Sequence, residues 1–147
     1  MIDILLQLFQ RDLEKLKSEI SSSRDEEKIW EISGEVKNSA GNLCLHLCGN
    51  LQHFIGAVLG SSGYVRNRDA EFSRKNVPLK ELINEIEITA QIVEKTLKEL
   101  DEEILQKTFP INVFGFEMTT GYFLVHLSTH LNYHLGQINY HRRLLYT

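Results

Sequence analysis

The chain has 147 residues, a formal net charge of −4 and a pI near 5.9, and this balance argues against nucleic acid or a membrane as its main partner. Nine glycines and two prolines provide few turn signals, which disfavours an all-β fold. The sequence contains no apolar run near the roughly 20 residues that a membrane-spanning helix needs.

An amphipathic helix is the first predicted element. Apolar residues recur at three- and four-residue intervals from Ile2 to Ile20, as one buried face of a helix requires. Asp3 and Arg11 place charge inside this segment, so it is interpreted as a structural helix and not as a signal peptide. Together with a content of only two cysteines, this predicts a cytoplasmic protein. Residues 30–36, which follow a polar stretch, are expected to be extended or irregular.

A second helix and a long loop are expected next. Asn38 and Ser39 are favourable N-cap residues for a helix over about 39–60. The segment that follows, residues 60–76, is rich in turn residues and arginine, and this composition predicts a long loop.

Two more long helices complete the predicted fold. Pro78 suits the start of helix three, whose apolar stripe runs over residues 79–104. Thr119 or Thr120 is expected to cap helix four, which reaches almost to Thr147. Four long helices with buried stripes predict an all-α four-helix bundle, and the length suits one domain over the whole chain.

Charged residues alternate in sign within the predicted loop. They are Arg66, Arg68, Asp69, Glu71 and Arg74. The favoured interpretation is a structural salt-bridge cluster that anchors the loop. The functional alternative is a guanidinium at the mouth of a pocket, where it would hold a carboxylate of a substrate or a thiol cofactor.

Histidines form a stripe along helix four. Successive helical residues rotate by about 100°, so His126, His130, His134 and His141 lie within roughly 80° of arc. Two imidazoles one turn apart can bind the same metal ion. Leu127 and Leu131 occupy the positions at which a zinc protease motif carries its glutamate base, so that class is excluded.

His46 projects from helix two on a face that it shares with Asn50, about 40° away, and His53, about 20° away. Histidine is costly to bury without a partner and is the commonest side-chain metal ligand. The histidine pattern therefore predicts a metal held inside a helical bundle. Histidines that merely pack in the core are the alternative, and His53 and His141 are assigned to that group.

Three segments resemble the DinB/YfiT-like superfamily: NSAGNLCLHLCGNL over residues 38–51, RNRDAEF over 66–72 and HLNYHLGQI over 130–138. The resemblance implies a four-helix bundle of DinB/YfiT-like type with a divalent metal held by one histidine from helix two and an H-x-x-x-H pair from helix four. Carried onto this sequence, the implied ligands are His46, His130 and His134. His126 and His53 fall outside the implied motif.

Three neutral imidazoles with an open coordination position are typical of a catalytic site and not of a structural one. Nickel or zinc suits imidazole best, and manganese or iron is compatible with it. Each ligand ring needs an acceptor for its second nitrogen. Asn50 and Gln137 lie on the appropriate helix faces for that role, or they serve only in packing.

The resemblance implies a metal-dependent thiol S-transferase or related detoxifying enzyme, with a low-molecular-weight thiol and a small electrophile as partners. Metal-assisted hydrolysis is the second hypothesis, and a non-catalytic, stress-associated metal-binding bundle is the third. No side chain in the sequence stands out as a separate general base. An enzyme should have a cavity beside the ion, lined by groups such as Tyr122, Tyr140 or Arg66.

A homodimer is also expected. Apolar residues nearly encircle helix four, and a helix that is apolar all round is buried on more than one side. The resemblance adds that relatives often pair their bundles side by side.

Overall fold

The computed structural model describes residues 1–145, and over that range it is all-helical, as the sequence predicts. The two residues at the expected end of helix four, including Thr147, lie outside the described range. The helices are α1 (Ile2–Ser21), α2 (Ala40–Leu51), α3 (Arg68–Ser73), α4 (Leu79–Glu99) and α5 (Thr120–Leu145). A π-helix, Gln52–Leu59, continues α2, and 3₁₀ turns cover Glu26–Trp30 and Glu102–Gln106.

Two of the predicted elements differ from the structure, the loop over 60–76 and the end of the third long helix. The segment over 60–76 is not one loop, because α3 forms within it and Asn67 caps its first turn by accepting a hydrogen bond from the Ala70 amide. Helix α4 ends at Glu99, since Asp101 accepts from the Ile104 amide and starts a separate 3₁₀ turn.

The four long helices pack around one apolar core. α1 contacts α4 and α5, and α2 contacts the same two helices. Side chains with almost no exposed surface fill the space between them; they include Phe9, Leu16, Leu51, Ile86 and Phe123. Burial of such side chains is the dominant stabilising contribution to a helical core.

Asn42, in the first turn of α2, ties the segment that contains α3 to this core. Its side-chain amide donates to the backbone carbonyls of Glu71 at 2.9 Å and Arg74 at 2.8 Å. Its oxygen accepts from the Ser39 hydroxyl at 2.8 Å and from the Lys75 ammonium at 2.6 Å. Since the Asn42 side chain is fully buried, these bonds hold α3 firmly over the middle of α2.

None of the helices within residues 1–145 combines the length and the apolar character that crossing a membrane requires.

Candidate metal centre

The structure brings His46, His130 and His134 together between α2 and α5. One ring nitrogen from each lies within 4.8 Å of the other two. Nε2 of His46 is 3.3 Å from Nε2 of His130, although 84 positions separate them in the chain. His46 is 7% exposed, so this group lies at the edge of the core.

The other three histidines lie outside this group. His126 stacks on Phe123, with ring centroids 5.7 Å apart. His53 packs edge-on against Phe54, with ring centroids 4.7 Å apart. His141 is buried near the end of α5. The three histidines that the resemblance implied as ligands are thus the ones that the fold brings together.

Acceptors fix the tautomer of two of the three rings. Nδ1 of His46 lies 3.0 Å from a Glu71 carboxylate oxygen, and Nδ1 of His134 lies 2.6 Å from the Gln137 amide oxygen. Both oxygens accept, so both Nδ1 atoms carry the proton. The lone pairs of His46 and His134 are therefore on Nε2.

The ring nitrogens of His130 indicate whether a cation fits between the three histidines. Among the described residues its buried Nδ1 has no hydrogen-bond partner, and its Nε2 faces the lone pair on Nε2 of His46. Whichever nitrogen of neutral His130 carries the proton, one buried polar atom stays unpaired, which costs free energy. A cation bound to both Nε2 atoms uses the facing lone pairs. Two nitrogens on a tetrahedral zinc, at about 2.0–2.1 Å from it, are about 3.3 Å apart, so the separation suits such an ion.

The surroundings of His130 and His134 keep these two imidazoles neutral. Burial, together with the neighbouring His134, His46, His126 and Arg66, lowers the pKa of His130 to about 3. Burial also lowers the pKa of His134, partly opposed by its hydrogen bond to Gln137. A metal ligand must be deprotonated, so both rings are ready to bind an ion near neutral pH.

Acid is expected to destabilise the metal-free protein. Burial lowers the histidine pKa values in the folded state, so between those values and about 6.5 the unfolded chain binds more protons. The groups concerned are His53, His126, His130, His134 and His141. The free energy of unfolding should therefore fall as pH decreases below about 6.5, by at most about 1.4 kcal/mol per pH unit for each histidine.

Urea unfolding of the metal-free protein at pH 8, 6 and 5 measures this dependence. A His130→Gln variant should show a shallower dependence, because it lacks the histidine with the lowest folded pKa. A free energy of unfolding that stays constant between pH 7 and pH 5 would contradict the prediction.

Of the two acceptors that bond to the ligand histidines, one was predicted from the sequence and the other was not. Gln137 accepts from His134 as expected, but His46 is paired with Glu71 and not with Asn50. Among the described residues, the buried Asn50 amide oxygen has no hydrogen-bond partner. The charge alternation over 66–74 was the available signal, since it predicted a salt bridge, but it could not show that the bridge lies against His46.

Arg66 forms a salt bridge with Glu71 and does not line the mouth of a pocket. Its Nε and Nη2 donate to the two Glu71 carboxylate oxygens at 2.8 and 2.9 Å. The Arg66 side chain is only 12% exposed. The guanidinium is already paired with a buried carboxylate through these two bonds, so the geometry supports the structural interpretation of Arg66 and Glu71.

A groove of about 1040 Å³ runs between residues 33–38 and α5, and His134 is part of its wall. Tyr133, Tyr140 and Leu144 also line it, and each is more than half exposed. Of the three groups expected beside the ion, the groove includes Tyr140 but neither Tyr122 nor Arg66. Its size is at the upper end of small-molecule sites, which are about 300–1,000 Å³.

Comparison with known proteins gives one family-level result. A family model described as "Protein of unknown function (DUF1572)" matches residues 4–147. The match includes nearly all of α1 and every later helix. No curated protein matches the chain.

Proposed function

The chain belongs to the family described as "Protein of unknown function (DUF1572)", and we propose that it is a DinB/YfiT-like metal-dependent thiol S-transferase. The observation that carries the proposal is the convergence of three imidazoles, with ligand atoms within 4.8 Å of one another. The proposal includes a four-helix bundle of DinB/YfiT-like type and one domain over residues 1–147. In the structure α1 and α2 each pack against both α4 and α5, and this arrangement supports the four-helix bundle.

His46, His130 and His134 would hold the ion through Nε2. The donor set contains imidazoles alone, so nickel or zinc is the preferred metal. A divalent ion with an open position lowers the pKa of a bound thiol and so supplies thiolate near neutral pH. Glu71 and Gln137 keep the His46 and His134 rings oriented toward it.

The chemistry proposed is a substitution at an electrophilic carbon. The thiolate sulfur forms a bond to that carbon, the bond from carbon to the leaving group breaks, and the leaving group departs with the electron pair. The thiol proton passes to solvent. Glu71 is committed to His46 and Arg66, which leaves it unsuited to act as a general base.

The groove beside His134 is the proposed binding place for the electrophile. Its lining is mostly apolar, with two tyrosine side chains, Tyr133 and Tyr140, along its edge. An apolar or aromatic electrophile would bury surface there and lie next to a ligand of the ion. We expect Tyr140→Ala to lower kcat/KM by about tenfold, through lost contact area.

The test compares thiol consumption by metal-free, zinc-loaded and nickel-loaded protein with glutathione or cysteine and a chromogenic aryl halide. Activity should require the metal and should be lost in His46→Ala. His53→Ala is the matched control, since His53 packs against Phe54 and is not one of the three grouped histidines, and it should retain activity. Ester hydrolysis without thiol transfer would support the hydrolase alternative. Bound metal without either activity would support the non-catalytic bundle.

Two expectations from the sequence remain predictions, a cytoplasmic location and a homodimer formed through α5. For the dimer, the supporting feature is a row of exposed apolar and aromatic side chains on that helix. The row consists of Tyr122, Val125, Tyr133, Tyr140 and Leu144.

A further inference from the structure

Glu71 occupies an unusual place for a carboxylate. It is 6% exposed and lies on α3, the short helix within the segment whose sequence predicted only a loop. A buried carboxylate is costly unless it is paired and hydrogen-bonded. The fold meets that requirement with two partners, His46 and Arg66.

We infer that Glu71 is a positioning residue, whose carboxylate fixes the ring of His46 so that Nε2 points at the metal site. The inference rests on the proposed metal site and adds a residue that lies outside the ligand set. The Glu71 oxygen 3.0 Å from Nδ1 of His46 forces the proton onto Nδ1 and leaves the lone pair on Nε2. Without this acceptor the ring is free to exchange its tautomer or to turn over.

Arg66 completes the arrangement by holding the carboxylate itself. Its two bonds to Glu71, at 2.8 and 2.9 Å, form a bidentate pair that fixes the carboxylate plane. One carboxylate oxygen is thereby shared between His46 and Arg66, while the other is bonded to Arg66. The pair also neutralises the charge of Glu71 next to the histidines.

The backbone around Glu71 is arranged to admit the carboxylate. Gly49 lies on α2 directly beneath it, and a Cβ at that position would overlap the Glu71 carboxylate oxygen Oε2. The Asn42 amide, which bonds to the carbonyls of Glu71 and Arg74, fixes the height of α3 above α2. Three separate features, the Arg66 pair, the gap at Gly49 and the Asn42 bonds, thus place one carboxylate against one ring nitrogen.

Substitutions at Glu71 and Gly49 test the inference by two independent routes. Glu71→Met keeps the length of the side chain and removes both acceptor oxygens, whereas Gly49→Ala leaves the carboxylate intact and displaces it. We expect each to weaken zinc binding by about 10–100-fold, the usual effect of losing a partner that orients a ligand. Competition with a chromophoric zinc chelator measures the dissociation constant.

Matched controls separate this effect from general damage. Glu81→Gln removes a carboxylate from an exposed pair with Arg74, and Gly136→Ala adds a methyl group where nothing lies within 4 Å. Neither should change the zinc dissociation constant by more than about twofold. Thermal melting of each metal-free variant identifies any that does not fold, and Glu71→Asp serves as a second variant if Glu71→Met fails to fold.

A metal-independent measurement gives a second readout. Nitrogen NMR of the metal-free protein should show His46 protonated at Nδ1, and this tautomer should be lost or mixed in Glu71→Met and Gly49→Ala. Unchanged tautomer and unchanged zinc affinity in folded variants would overturn the role of Glu71. Absence of zinc binding by the wild-type protein would instead overturn the proposed function, while the NMR result would still decide whether Glu71 orients the ring.

Discussion

Protein purified without added metal is expected to contain about one divalent ion per chain, and His46→Ala and His130→Ala variants are expected to contain almost none. The physical reason is that the three ligand nitrogens lie within 4.8 Å of one another and that burial lowers the pKa of both His130 and His134, which keeps these two rings neutral near pH 7. Removal of one imidazole leaves two ligands, which is too few for a stable tetrahedral site.

Elemental analysis of the three proteins, before and after reconstitution with zinc and nickel, measures this. His126→Ala is the matched control, because His126 lies one turn before His130 on the same helix and stacks on Phe123 outside the group. It should keep the full metal content. A wild-type protein that contains no metal even after reconstitution would leave the three histidines as packing residues.

A large loss of stability is expected from a substitution in the core, at Phe123. Phe123 is 1% exposed and packs edge-on against Phe54 and Phe109, with ring centroids 5.0 and 4.3 Å away. Phe123→Ala should lower the free energy of unfolding by about 3–5 kcal/mol, because it removes a buried ring and leaves a cavity. The melting temperature should fall by roughly 10 °C or more.

Phe114→Ala is the matched comparison. Phe114 also contacts Phe123, at 5.9 Å between centroids, but it is 44% exposed, so its loss should cost about 1 kcal/mol or less. Denaturant unfolding of both variants measures the difference. Equal losses would show that burial does not decide the contribution of these rings.

The helices were the most predictable part of the fold. Apolar spacing alone located the long helices, since a stripe at three- and four-residue intervals must face a core. It placed the end of α4 too late, because Leu100 and Ile104 continue the apolar stripe although the chain turns between them. It missed α3, because six residues form less than two turns and show no periodicity.

The candidate site also has a part that the sequence predicts and a part that depends on tertiary packing. The orientation of His130 and His134 toward one point is a local property, since two residues one turn apart on α5 share a face whatever the rest of the chain does. The Gln137 acceptor is equally local, three positions from His134. These features were readable from spacing.

Only the tertiary structure decided which groups meet across the chain. The approach of His46 to His130 spans 84 positions and depends on how α2 packs against α5. The pairing of His46 with Glu71, and not with Asn50, depends on Asn42 and Gly49, which allow α3 to lie close over α2. Helical spacing fixes the direction of a side chain from its own axis, whereas the contact between two helices follows from the packing of all the side chains between them. The sequence thus determined the helices and the ligand pair on α5, and the packing determined the third ligand's position and the carboxylate that orients it.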